Sequence, residues 1–205
     1  LMSILHYFSG DEEKRSLFIF NLIAPLYSLI DALLDDNFKE AGEHLNKIIP
    51  LQNKTVLDVG TGTGAWGALL ASFGASVTGV DKSPKMLKEA KKKHPELTFV
   101  EASAGNLSQF HDNTFDIVTA SFVLHGVTEP IRTQFMAEMK RVSKHYVAVH
   151  DFAGHTQWFV RFLEFMERSD YNHFKQHFCE EIKPLFTTVK KIELTTNNGL
   201  YIAEK

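Results

Sequence analysis

The chain has one cysteine among 205 residues, Cys179, so no intrachain disulfide can form and nothing points to an oxidising compartment. It also lacks an excess of either charge. The 22 Lys and Arg against 25 Asp and Glu leave a formal net charge of -3 and no general attraction for nucleic acid. No long hydrophobic run is present. The most apolar stretch, residues 17–30, is interrupted by Asn21, Pro25 and Ser28 and is shorter than the roughly 20 residues a bilayer crossing needs. It lacks the flanks and cleavage site of a signal peptide, so a cytoplasmic location without a membrane span is expected. Repeats and low-complexity tracts are absent too, and the length suits one domain with a sizeable core.

What is present is an alternation of strand and helix patterns. Residues 11–49 read as helical, with Pro25 breaking the region and an amphipathic helix (Phe38, Ala41, Leu45, Ile48) ending before Pro50. Strands are expected at about 54–59, 76–81, 97–101, 115–120 and 146–150, with helices at 65–73, 84–93 and 129–142 between them. This β-α-β-α spacing implies right-handed crossovers and a parallel sheet covered by helices on both faces. Two helical stretches, about 156–168 and 171–184, interrupt the alternation. Asn198-Gly199, between Ile192–Thr195 and Leu200–Ala203, then signals an antiparallel terminal hairpin. The fold class is therefore α/β, Rossmann-like and mostly parallel.

The chemistry is concentrated in Asp58-Val59-Gly60-Thr61-Gly62-Thr63-Gly64, where an apolar run reaches an acid and three glycines alternate with threonines. Glycines so spaced let backbone N–H groups approach a ligand and permit a tight strand-to-helix turn. Val77-Thr78-Gly79-Val80-Asp81 ends a second strand in another acid, the usual holder of a nucleoside ribose. Gly62-Thr63-Gly64-Ala65-Trp66-Gly67 also fits the dinucleotide pattern G-x-G-x-x-G. However, Asp58 would face the anionic pyrophosphate there and repel it. A nucleoside carrying an amino group and a sulfonium would instead be attracted. The spacing Tyr171-x-x-x-Lys175 resembles a dehydrogenase pair, but the strand before it offers no serine partner.

These residues resemble the class I S-adenosylmethionine-dependent methyltransferases. Val56 to Gly64 is similar to that family's first motif. Val80 to Leu87, Phe115 to Val118 and Leu124-His125 are similar to its later ones, and the branch most resembled is that of ubiquinone and menaquinone biosynthesis. The resemblance implies a seven-stranded sheet, an N-terminal helical lid over residues 1–50, a cofactor-binding core at 51–151, a helical insertion at 152–184 and the hairpin at 185–205. It implies S-adenosylmethionine as cofactor. Gly60, Thr61, Gly62 and Gly64 would line its methionine part and Asp58 its amino group. Asp81 would take the ribose hydroxyls, and Lys82 and Met86 would border the adenine. Ser103, where the family has an acid, and Ala104 would reach the adenine amino group. Ser121 closes the set at the fourth strand's exit, and Tyr7 and Tyr27 would come from the lid.

Methyl transfer from a sulfonium needs alignment and a dry pocket, and needs a base only where the acceptor must lose a proton. His125 and His150, near strand ends, are the candidates for that base, with Asp151 able to orient His150 or simply to end the strand. No Asn/Asp-Pro-Pro-Tyr motif follows the fourth strand, and one cysteine is too few for arsenite chemistry. His173 and His177, one helical turn apart, have no clear third ligand apart from Cys179, so no metal is expected. Aromatic residues crowd the 152–184 insertion, among them Phe152, Tyr171, Phe174 and Phe178, as a pocket for an apolar or aromatic small molecule or simply as packing. The remaining alternatives are a non-catalytic cofactor-binding module and an NAD(P)-dependent dehydrogenase.

Overall fold

Strands rich in Val, Ile and Leu with no polar face belong inside a sheet covered on both sides. In the computed structural model, which describes residues 27–153, 171–195 and 198–205, with side chains from residue 35 onward, seven strands form the sheet, the central ones meeting this expectation and the edge strands more exposed. They are β1 (Thr55–Val59), β2 (Ser76–Asp81), β3 (Thr98–Glu101), β4 (Phe115–Ser121), β5 (Ser143–Phe152), β6 (Thr188–Glu193) and β7 (Asn198–Glu204). Their order is β3-β2-β1-β4-β5-β7-β6, and β7 alone runs antiparallel to its neighbours. The order reverses between β1 and β4, and an open sheet binds its ligand in the crevice outside such a switch point.

Five helices flank the sheet among the described residues: α1 (Tyr27–Ile48), α2 (Ala65–Ser72), α3 (Pro84–Lys93), α4 (Glu129–Val142) and α5 (Tyr171–Ile182). Alternation along each strand splits the core into two layers. One layer joins Ala41 and Leu45 of α1 and Trp66 and Leu70 of α2 to Val56, Ile117, Ala148 and Leu200. The other joins Met136 and Met139 of α4 and Phe174 and Phe178 of α5 to Leu57, Val118, Val149 and Tyr201. Each large aliphatic or phenylalanine side chain so buried contributes about 2 kcal/mol. No described helix is long and apolar enough to cross a membrane.

Local chemistry accounts for the boundaries. Ser83 caps α3 by accepting from the Met86 N–H, with Pro84 at the first helical position. The break expected at Pro25 lies outside the described residues, and from Tyr27 α1 runs unbroken to Ile48. Its buried face uses Ala41 and Leu45, Ile49 just past its end is also buried, and Ile48 is exposed. The expected helix at 156–168 lies outside the described residues.

The hairpin is present, but Asn198-Gly199 is not its turn. Both residues are in β7, paired with Phe152 and Asp151, and the chain reverses before them. Gly199 is required by close approach, since a Cβ there would lie 2.9 Å from the Ala153 Cβ. Strand β5 is also longer than expected, running to Phe152 because β7 pairs along its whole outer half.

Candidate active site

The exits of β1, β2 and β4 form the crevice. Three glycines after β1 have positive φ, at 71° for Gly60, 54° for Gly62 and 87° for Gly64. A Cβ on Gly60 would lie 2.5 Å from Val123 Cγ2, so the turn after β1 presses directly on the loop after β4. A Cβ on Gly62 would meet nothing within 4 Å, which makes this residue the open side of the cradle. Thr61 hydroxyl donates to Asp58 Oδ2 at 2.6 Å, and its backbone N–H bonds the Val80 carbonyl, tying β1 to β2.

The two acids sit where the motif puts them. Asp58 is buried with only neutral donors, the Thr61 hydroxyl and the Gly67 N–H, so burial pushes its carboxyl up to about 7. Asp81 accepts the Gly62 N–H at 3.0 Å and the Ser83 N–H at 2.8 Å, and burial raises it despite those bonds. A buried carboxyl with no cationic partner among the described residues, at the foot of the glycine turn, fits a cationic nucleoside and opposes a pyrophosphate. The residues present therefore fit S-adenosylmethionine.

Around this cradle Met86 is buried and Lys82, Ser103, Ala104 and Ser121 are half-buried. The Ser103 hydroxyl accepts the Gly105 N–H at 3.3 Å, holding the turn after β3. Tyr27 opens α1 but its side chain is not described, and Tyr7 lies outside the described residues.

The two candidate histidines stand on opposite faces of the sheet. His150 is fully buried under α1, against the rings of Phe38, Trp66 and Phe122 at 6.0, 5.3 and 4.7 Å. Its Nδ1 meets Ser121 Oγ at 2.9 Å, and its Nε2 is buried without a partner among the described residues. Burial lowers its imidazole to about 4 and keeps it neutral. His125 lies in a short turn (Leu124–Gly126) after β4, and its Nδ1 is 2.7 Å from Asp151 Oδ1. Asp151 Oδ2 also accepts the Leu124 and His125 N–H groups at 3.0 and 3.3 Å.

Asp151 thus orients His125 and not His150. Strand alternation carried the signal for this, because adjacent strand residues face opposite sides. Phe122 left no such signal. It adopts φ 54°, rare for a bulky residue, and its ring lies 4.9 Å from Phe152, which in turn lies 4.7 Å from His125 and 5.0 Å from Tyr171. These rings wall the exits of β4 and β5. Lys175 sits 4.7 Å over the Tyr171 ring, so the dehydrogenase-like pair is one turn of α5 making a cation–π contact.

Residues 56–145 match the family model of the methyltransferase domain. Over these residues the chain carries a methyltransferase domain, and its fold is that of the class I S-adenosylmethionine-dependent methyltransferases. S-adenosylmethionine is the cofactor of that domain. The chain is 35% identical over 128 residues to a demethylmenaquinone methyltransferase of Renibacterium salmoninarum, covering 62% of this chain and 53% of that protein. It is 36% identical over 133 residues to the enzyme of the same name from Chlorobaculum tepidum, covering 62% and 54%. The matches span about half the length of these relatives. Among solved structures, a Pyrococcus horikoshii protein superposes with a TM-score of 0.68 at 21% identity, over 83% of this chain and 90% of that one. The magnesium protoporphyrin IX methyltransferase of Synechocystis, solved with bound cofactor, gives 0.63 at 19% identity, over 83% and 78%. Both likenesses are of fold.

Proposed function

We propose that the chain transfers a methyl group from S-adenosylmethionine to a small apolar or aromatic acceptor of quinol type, with His125 as general base. The His125–Asp151 contact is the observation that carries this reading. The Nδ1–H donates to the carboxylate and makes Nε2 the basic nitrogen, and the same carboxylate offsets the positive charge that the imidazole gains. When bound, the cofactor supplies an electrophilic methyl on a sulfonium, and the protein's part is alignment and exclusion of water. Gly60, Thr61, Gly62 and Gly64 would cradle its methionine end and Asp58 its ammonium. Asp81 would hold the ribose, with Lys82, Met86, Ser103 and Ala104 about the adenine and Ser121 at the exit of β4. Phe122, Phe152 and Tyr171 would hold a flat acceptor beside His125, and the relatives named for demethylmenaquinone support that acceptor class. Neutral, enclosed His150 is a wall residue in this reading. The single cysteine fits a cytoplasmic location.

The test is transfer of labelled methyl from S-adenosylmethionine to a series of naphthohydroquinones and to polar acceptors of similar size. Label should pass to the hydroquinones, and His125→Gln should lower kcat by about 10²–10⁴ with S-adenosylhomocysteine affinity unchanged. Transfer that His125→Gln leaves intact, or none to any acceptor, would contradict the proposal.

A further inference from the structure

We propose that Arg132 is a positioning residue for His125 and couples that histidine to helix α5. The role of His125 as base rests on the function proposed above, whereas the coupling rests on geometry alone. Arg132, on α4, is fully buried. Its guanidinium donates through Nη1 to the carbonyls of Leu124 and Val127, at 3.1 and 2.6 Å, and these two residues bracket the turn that carries His125. Through Nε and Nη2 it grips both oxygens of Glu181 on α5, at 2.7 and 3.1 Å. The Phe174 ring covers it at 5.3 Å. One planar fork thus joins α4, α5 and the turn, and on the turn's other side Asp151 takes the Leu124 and His125 N–H groups. The turn is held between a guanidinium on its carbonyls and a carboxylate on its amides.

A buried ion pair is costly to desolvate and is commonly matched or bettered in stability by apolar residues of similar size. Its distinguishing contribution here is direction, because only a planar guanidinium serves two carbonyls and a bidentate carboxylate at once. Glu129, His173 and Glu181 also place ligand atoms within 4.8 Å of one another, as a metal site would. Both Glu181 oxygens, however, are in the Arg132 fork, so this cluster belongs to the clamp. The consequence is that seating of α5 and the aim of His125 toward Asp151 are one event.

The experiment reads the His125 Nδ1 proton and ring nitrogens by NMR in the full chain without acceptor, for Arg132→Lys and for the double variant Arg132→Met with Glu181→Leu. Lysine keeps the charge and loses the fork. The apolar pair restores packing without the clamp, so the measurement survives if the lysine variant fails to fold. The Nδ1 proton signal of the Asp151-bonded imidazole should be lost in the folded variants while S-adenosylhomocysteine affinity is unchanged. A signal that persists in the folded double variant overturns the proposal. So does a loss accompanied by an equal loss of S-adenosylhomocysteine binding, since that is general disorder. Absence of methyl transfer in the wild-type chain would overturn the base role and leave the clamp standing.

Discussion

Asp58 is the residue whose surroundings say most about its partner. Its raised carboxyl, at about 7, is half protonated near neutrality because burial is opposed only by neutral donors. A cationic ligand favours the ionised form, so binding should release a proton and S-adenosylhomocysteine affinity should rise with pH from 6 to 8, approaching tenfold per unit below the midpoint. Calorimetry in two buffers of different ionisation enthalpy measures this release, and Asp58→Asn should abolish it. Asp58, the glycines and Asp81 were legible because the motif is local and its spacing is chemical. The partner of Asp151 is set by which face of β5 it occupies, and reading the two neighbours His150 and Asp151 as a pair ignored that alternation. Phe122 was illegible, as nothing in Ser121-Phe122-Val123 announces a left-handed phenylalanine.

The elements hold the site through their ends. At the end of the sheet opposite the crevice, Asp116 of β4 accepts the Thr55 N–H and hydroxyl, both at 2.8 Å, and pairs with Lys144 at 3.1 Å. The Thr55 bonds, led by the backbone N–H, hold its carboxyl down to about 2. A lowered carboxyl stabilises above its unfolded pKa and loses that contribution as pH falls. Asp116→Ala should therefore cost about 2 kcal/mol at pH 7, and the deficit in denaturant unfolding should shrink toward pH 2. At the crevice end, Gly60→Ala places a methyl against Val123 at positive φ, and should cost about 1–3 kcal/mol and weaken cofactor binding. Adding Val123→Ala should recover the steric part and not the conformational part, as read by chemical unfolding of both variants. The strands and helices of the alternating part were legible from the apolar runs, whereas the strand order was not read from them. The hairpin turn was misplaced because Asn-Gly signals a turn only where φ must be positive, and Gly199 answers close packing instead.

For the molecule as a whole, two buried groups tilt stability in opposite directions over one pH window. His150 is lowered from 6.5 to about 4, so its neutral form is stabilising above 6.5 and about 3 kcal/mol is lost as pH falls toward 4. Asp58 is raised from 3.8 to about 7, so about 4 kcal/mol is lost as pH rises across that span in the unliganded chain. Asp58→Asn should remove the loss at high pH, and His150→Phe the loss at low pH, when unfolding free energies are followed from pH 4 to 7. Cofactor binding at the switch point should offset the Asp58 cost and move maximum stability upward in pH.

A calorimetric titration of the chain with S-adenosylhomocysteine and separately with NAD asks most directly what the cradle between β1 and β4 was built for. The structure predicts binding of S-adenosylhomocysteine, lost in Asp81→Ala, and no comparable heat with NAD. Tighter binding of NAD, or S-adenosylhomocysteine binding indifferent to Asp81, would contradict it.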